Sequence, residues 1–153
     1  MSDPARPPRI IMMEDNPADV LLIREALREQ GVEAELLVIP DGEAALDWVK
    51  RDTNPLGADL ILVDLNLPRH HGIEVLERIR HEPRLSGVPV AVFSSSDTPQ
   101  DRDGASRLGA DRFILKPCTL DEFLSIGLDI KRMLNERPAP GGDGRTARPG
   151  RSD

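Results

Sequence analysis

The chain has 153 residues, 39% hydrophobic and 31% charged, with 27 acids against 20 Lys and Arg for a formal net charge of −7. That length suits one domain, no apolar run approaches the roughly 18–20 residues of a membrane span, and the opening MSDPARPP lacks the apolar core of a secretory signal. The acidic balance argues against coating nucleic acid, while a single cysteine excludes an internal disulfide or a Cys-based zinc site and fits a reducing cytoplasm.

Residues 1–8, with three prolines, read as a flexible N-terminal segment. Residues 10–13 (IIMM) are the first of five short unbroken apolar runs, the pattern of strands buried on both faces. Asn16 then caps a helix with Pro17 at its first position and Asp19 in its first turn, and Gly31 is placed to end it. A second strand at 36–39 leads to Asp41-Gly42 and a helix to about residue 51. A third strand at 60–63 precedes a helix over 72–80, which stops before Pro83. Residues 90–93 form a fourth strand, and Thr98-Pro99 opens a helix over 99–108. After a fifth strand at 113–115, Thr119 and Glu122 form a capping box for a helix over 120–134.

Residues 9–136 therefore make one domain, and 137–153, rich in Pro, Gly and Arg without a large apolar residue, read as a disordered, solvated tail. The first nine residues carry a net +1 and the last seventeen +2, which leaves −10 on residues 10–136. Strand and helix alternate five times. Parallel strands need right-handed crossovers, so the helices divide between both faces of one sheet: a doubly wound α/β fold with five parallel strands.

In such folds function gathers at the carboxyl ends of the strands. Glu14 and Asp15 end the first strand, Asp64 the third, Ser94 the fourth and Lys116 the fifth. Three crowded carboxylates call for a cation, and an all-oxygen donor set suits Mg2+, which keeps sites open for water and phosphate. Lys116 is one of three lysines beside 17 arginines, and its compact charge can meet a phosphoryl oxygen. These parts assemble into phosphoryl transfer, with Asp64 as nucleophile, Mg2+ on Glu14 and Asp15, and Lys116 and Ser94 stabilising the transferring group.

The pieces MMEDNPAD, LILVDLNLPRHHGIEVLERIR, VPVAVFSSSD and GADRFILKP resemble a response regulator receiver domain of the chemotaxis-regulator (CheY-like) kind. The resemblance covers roughly residues 9–135, and the EDNPAD and DLNLP wording is most similar to single-domain regulators that partner bacterial phytochrome-type histidine kinases. It implies a flavodoxin-like strand order of 2-1-3-4-5 and transfer of a phosphoryl group from a kinase phosphohistidine to Asp64. It also implies Asp15, Asp64 and the Asn66 backbone carbonyl as metal ligands with Glu14 close by, and Ser94 and Phe113 as the switch pair. Asn66 and Ser96 would flank the water that attacks the phosphorylated side chain. The chain departs from the family at His71-Gly72, where Asp-Gly is usual, at Ser94 in place of threonine, and at Cys118, where a bulky apolar residue is frequent.

The expected protein is a cytoplasmic switch, not a turnover enzyme, acting through contacts with a sensor histidine kinase and a downstream protein target. A phosphorelay intermediate or phosphate sink is the alternative within the family. An aspartyl-phosphate phosphatase usually places its nucleophile on the first strand with a second Asp two residues on, where this chain has Asn66. A phosphorylation-independent adaptor would not need all five site residues, and nucleotide binding would need a glycine-rich loop after the first strand. His70, His71 and His81 lack the spacing of a zinc site. Trp48 is expected to pack a helix on the sheet, and Cys118 to be an inert core or strand-end residue. The fourth helix, with Gly104 and few apolar residues, is expected to be labile. The fifth, with Leu120, Phe123, Leu124, Ile130 and Leu134 on one stripe and Ile126 and Met133 widening it, suggests a homodimer face formed with the fourth helix and fifth strand.

Overall fold

The computed structural model describes residues 6–51 and 57–136. The tail 137–153, and residues 1–5 of the N-terminal segment, lie outside the described residues. In chain order the elements are β1 (Arg9–Met13), α1 (Pro17–Glu29), β2 (Glu35–Ile39), α2 (Gly42–Lys50), β3 (Leu60–Val63) and α3 (Gly72–Arg80). A short 3-10 turn (Pro83–Leu85) follows, then β4 (Val90–Ser94), α4 (Pro99–Arg107), β5 (Arg112–Leu115) and α5 (Leu120–Glu136). The five strands are all parallel and lie in the order β2-β1-β3-β4-β5, as the resemblance implied.

Local chemistry sets the element ends. The Asn16 side chain accepts from Ala18 N–H at 2.9 Å with Pro17 behind it, Asp41 accepts from Ala44 N–H at 2.7 Å, and Thr98 accepts from Asp101 N–H at 3.1 Å. Gly31 takes a φ of +68° beyond α1, which lets Val32 N–H reach back to Leu27 O and satisfy a terminal carbonyl. At α5 the Thr119 hydroxyl accepts from Glu122 N–H at 3.2 Å, while the Glu122 carboxylate takes Cys118 N–H in return.

Side chains alternate across the sheet, so each face has its own core. Ile11, Met13, Ile61, Val63, Val90 and Val92 meet Ala45, Val49, Val75, Leu76, Ile79 and Ala105 from α2, α3 and α4, and Trp48 packs partly buried against them. Ile10, Met12, Leu60, Leu62, Ala91 and Phe93 meet α1 and α5 on the other face. Each buried Val, Leu, Ile, Met or Phe side chain contributes roughly 1.5–3 kcal/mol, and each alanine methyl less.

Burial on both faces holds for β1, β3 and β4 but not for the outer strands. Leu37 on β2 is 38% exposed and Leu115 on β5 is 41% exposed, because an edge strand has a neighbour on one side and the helices close over only part of it. The wide stripe of α5 is also largely used within the chain. Ile126 and Met133, which widened the proposed dimer face, are buried, because α1 and α5 pack together so tightly that a Cβ on Gly127 would lie 2.2 Å from Ala26 O. No helix among the described residues is long and apolar enough to cross a membrane.

Candidate functional site

The sheet order brings the ends of β1, β3, β4 and β5 to one rim. Asp64 follows β3 and is almost wholly buried. Its Oδ1 accepts from Asn66 N–H at 3.0 Å and its Oδ2 from the Lys116 ammonium at 3.0 Å, so both oxygens are oriented. The backbone behind it has no slack: Gly72 N–H donates to Leu65 O, and a Cβ on Gly72 would lie 2.4 Å from Asp64 O. His71, where the resemblance led us to expect an aspartate, has a local structural task. Its Nδ1 accepts from Ile73 N–H at 3.1 Å and caps α3.

Glu14 is buried beside Asp64, with Oε2 accepting from Asn16 N–H at 3.2 Å. Its Oε1 lies 2.9 Å from Lys116 Nζ, yet no hydrogen-bond donor is aligned on it. Burial pushes the Glu14 carboxyl up to about 7, the charge on Asp64 adds to the rise, and Lys116 opposes it. Exposed Asp15 completes a trio, since Glu14, Asp15 and Asp64 offer carboxylate oxygens that all lie within 4.8 Å of one another. A buried carboxylate oxygen without an aligned donor, within a converging all-oxygen set, fits a small hard dication such as Mg2+.

Lys116 follows β5 and reaches back across the rim with little of its side chain exposed. Burial alone would lower its pKa. Hydrogen bonds to Asp19 and Asp64, together with the Glu14 carboxylate 2.9 Å away, outweigh that effect and raise it, so the ammonium stays charged. Asp19 went unrecognised as a site residue in the sequence, where it reads as a first-turn acid of α1. Its Oδ2 is 2.8 Å from Lys116 Nζ. The available signal was its place: the first turn of the helix after β1 must open onto the same rim.

Ser94, rather than Ser95 or Ser96, is the buried hydroxyl of its run. It accepts from Ser96 N–H at 3.1 Å and from Asn66 Nδ2 at 3.5 Å, the outer limit for such a bond. Phe113 on β5 is half-buried against the α3–α4 side, and the Arg102 guanidinium of α4 lies 4.6 Å from its ring centre. Cys118 sits at the strand end as an exposed thiol and takes no part in the core. The structure thus brings Glu14, Asp15, Asp64, Asn66, Ser94 and Lys116 together, with Phe113 one strand away on the α4 side.

Residues 10–126 match the family described as the response regulator receiver domain. Response regulator Rcp1 of Synechocystis sp. is 33% identical over 130 residues, covering 82% of this chain and 88% of that protein. Among solved structures, the phosphorylated cyanobacterial phytochrome response regulator RcpA is 33% identical, with a TM-score of 0.76 over 84% of this chain and 94% of its own. The Mn2+-bound form of Rcp1 is 30% identical, with a TM-score of 0.75 over 87% of this chain and 100% of its own.

Proposed function

The chain belongs to the response regulator receiver domain family, and we propose that it is a phosphorylation switch that takes a phosphoryl group from a sensor histidine kinase onto Asp64. The observation that carries this reading is the Lys116 ammonium on Asp64 Oδ2, beside the convergent carboxylates of Glu14 and Asp15. A carboxylate oxygen of Asp64 attacks phosphorus as the bond to the donor imidazole breaks, and the leaving electron pair stays on the imidazole nitrogen.

On this reading each residue has a task. Asn66 N–H and Lys116 hold the Asp64 carboxylate in one orientation, so the nucleophile is placed before the donor arrives. Lys116 supplies a fixed positive charge to the phosphoryl oxygens. Ser94 uses its lone pairs on Ser96 N–H and Asn66 Nδ2, which leaves its own proton to donate to a phosphoryl oxygen. Glu14, Asp15, Asp64 and the Asn66 carbonyl would hold Mg2+, which when bound neutralises negative charge on the transferring group. The Mn2+-bound form of Rcp1 supports a divalent ion here. Ser94 and Phe113 form the switch: movement of the Ser94 hydroxyl onto the phosphoryl group frees space that the Phe113 ring can enter, and Arg102 above that ring carries the change to α4.

Likeness to a phytochrome response regulator supports a phytochrome-type kinase as the donor. Output passes by protein contact, to a downstream target and to a second copy through α4, β5 and α5. Leu115 and Leu120, 41% and 59% exposed, lie on that side, which also carries a groove of about 560 Å3 between β5 and α5. We place its work in the cytoplasm and read it as a switch, not a turnover enzyme, since the acyl phosphate forms on the protein itself. Incubation with Mg2+ and a small acyl phosphate should add the mass of one phosphoryl group, and Asp64→Asn should abolish the gain. No gain in wild type, an undiminished gain in Asp64→Asn, or turnover of many phosphates per minute overturns the reading.

A further inference from the structure

Three carboxylates surround Lys116 Nζ: Asp19 Oδ2 at 2.8 Å, Glu14 Oε1 at 2.9 Å and Asp64 Oδ2 at 3.0 Å. Glu14 and Asp64 also belong to the oxygen trio that suits a dication, and Asp19 does not. A dication there draws Glu14 and Asp64 toward itself and repels the neighbouring ammonium, since like charges at this range repel. Asp19 is then the carboxylate left to Lys116, with the Phe93 ring, 5.2 Å from the ammonium, as the other contact.

Asp19 is well placed for that task. It lies in the first turn of α1, with its own N–H on Asn16 O at 3.1 Å, and α1 is locked to α5 where Gly127 meets Ala26. Its side chain is 15% exposed, so water screens the contact poorly. We propose that Asp19 is a positioning residue that holds Lys116 beside Asp64 when the metal site is filled. This deepens the phosphoryl-transfer reading above and rests on it. A purely structural Asp19 would instead serve only the N-terminal dipole of α1.

The ammonium itself provides the test. The chain has three lysines, so the Lys116 15Nζ signal of the full-length protein is assigned by its loss in Lys116→Arg. In wild type at saturating Mg2+ the signal should persist, and the scalar coupling across its hydrogen bond to Asp19 should survive while that to Asp64 weakens. In Asp19→Asn the signal should be visible without Mg2+ and lost with it, and Asp19→Glu should restore it. Phosphorylation by a small acyl phosphate at saturating Mg2+ should slow about tenfold in Asp19→Asn and return to within about threefold of wild type in Asp19→Glu. Amide exchange across α1 should match wild type in both variants. A Lys116 signal and rate unchanged in Asp19→Asn, or loss of the wild-type Asp19 coupling on adding Mg2+, overturns the proposal. Failure of wild type to bind Mg2+ by calorimetry overturns the reading of the site, and this proposal with it.

Discussion

On one side of the sheet α5 lays Phe123, Ile126, Ile130, Met133 and Leu134 onto the strands and presses Gly127 against Ala26 of α1. On the other side α4 buries Ala105 alone among its residues, and its other ties are polar: Thr98 at the cap, Ser96 to Asp101, and Arg102 to Asp97 and the Phe113 ring. Both helices cross over the same sheet, yet one is fixed by apolar contact and the other by contacts that exchange readily with water. Asp19 reaches Lys116 from the fixed side, whereas Ser94 and Phe113 face the loose one. On the proposed mechanism Lys116 is thus braced from the tightly packed wall, and the element proposed to respond lies on the loosely packed one.

The largest test of this contrast is Ile130→Ala, which empties a fully buried position and should cost about 4 kcal/mol by denaturant unfolding, against about 1 kcal/mol for half-buried Leu108→Ala beside α4. Equal costs would break the comparison. Gly127→Ala should follow at roughly 3 kcal/mol, since its Cβ would sit 2.2 Å from a backbone oxygen, and a Tm at or above wild type would show that the helices can part cheaply.

A third test uses pH. Glu14 keeps its proton up to about 7 in the folded protein but only to its ordinary value of 4.5 when unfolded, so the folded state binds more protons between these values. Stability from this group is full below the unfolded value and falls as pH rises through the folded one, by about 3 kcal/mol without metal. Amide exchange of α5 and the central strands, which reports global opening, should show that loss, whereas α4, opening locally, should not. Mg2+ should reverse the loss and bind more tightly as pH rises through 7. The smallest effect is Gly104→Ala. The nearest atom to its Cβ is 3.5 Å away, so helix propensity dominates and the variant should gain about 0.5–1 kcal/mol. If α4 is the moving wall, exchange within α4, which opens locally, should slow by a matching factor.

Much of this arrangement is legible along the chain because it is local. Apolar runs mark the strands, Asn16, Asp41 and Thr98 mark helix starts, and the rule that function gathers at strand ends singles out Asp64, Ser94 and Lys116. What stayed hidden depends on contacts between distant segments. Asp19 lies 97 residues from Lys116, so its partner emerges only when β5 is laid beside β4. Ile126 and Met133 look surplus on a helical wheel until α1 is known to pack beside α5. The half-exposed faces of β2 and β5 look buried from their apolar runs alone, although the strand order implied by the resemblance already makes them edges.

The α3 cap carries a consequence for sequence change. What position 71 must supply is one lone pair aimed at Ile73 N–H, and what position 72 must supply is the absence of a methyl group behind Asp64. An imidazole meets the first specification as an aspartate would, so position 71 behaves as an interchangeable part. Position 72 is a clearance, with no substitute among side chains. Variation in this loop should therefore accumulate at the histidines while the glycine stays fixed, and a designer seeking to retune recognition near the site would alter His70 and His71 before any residue on the strands.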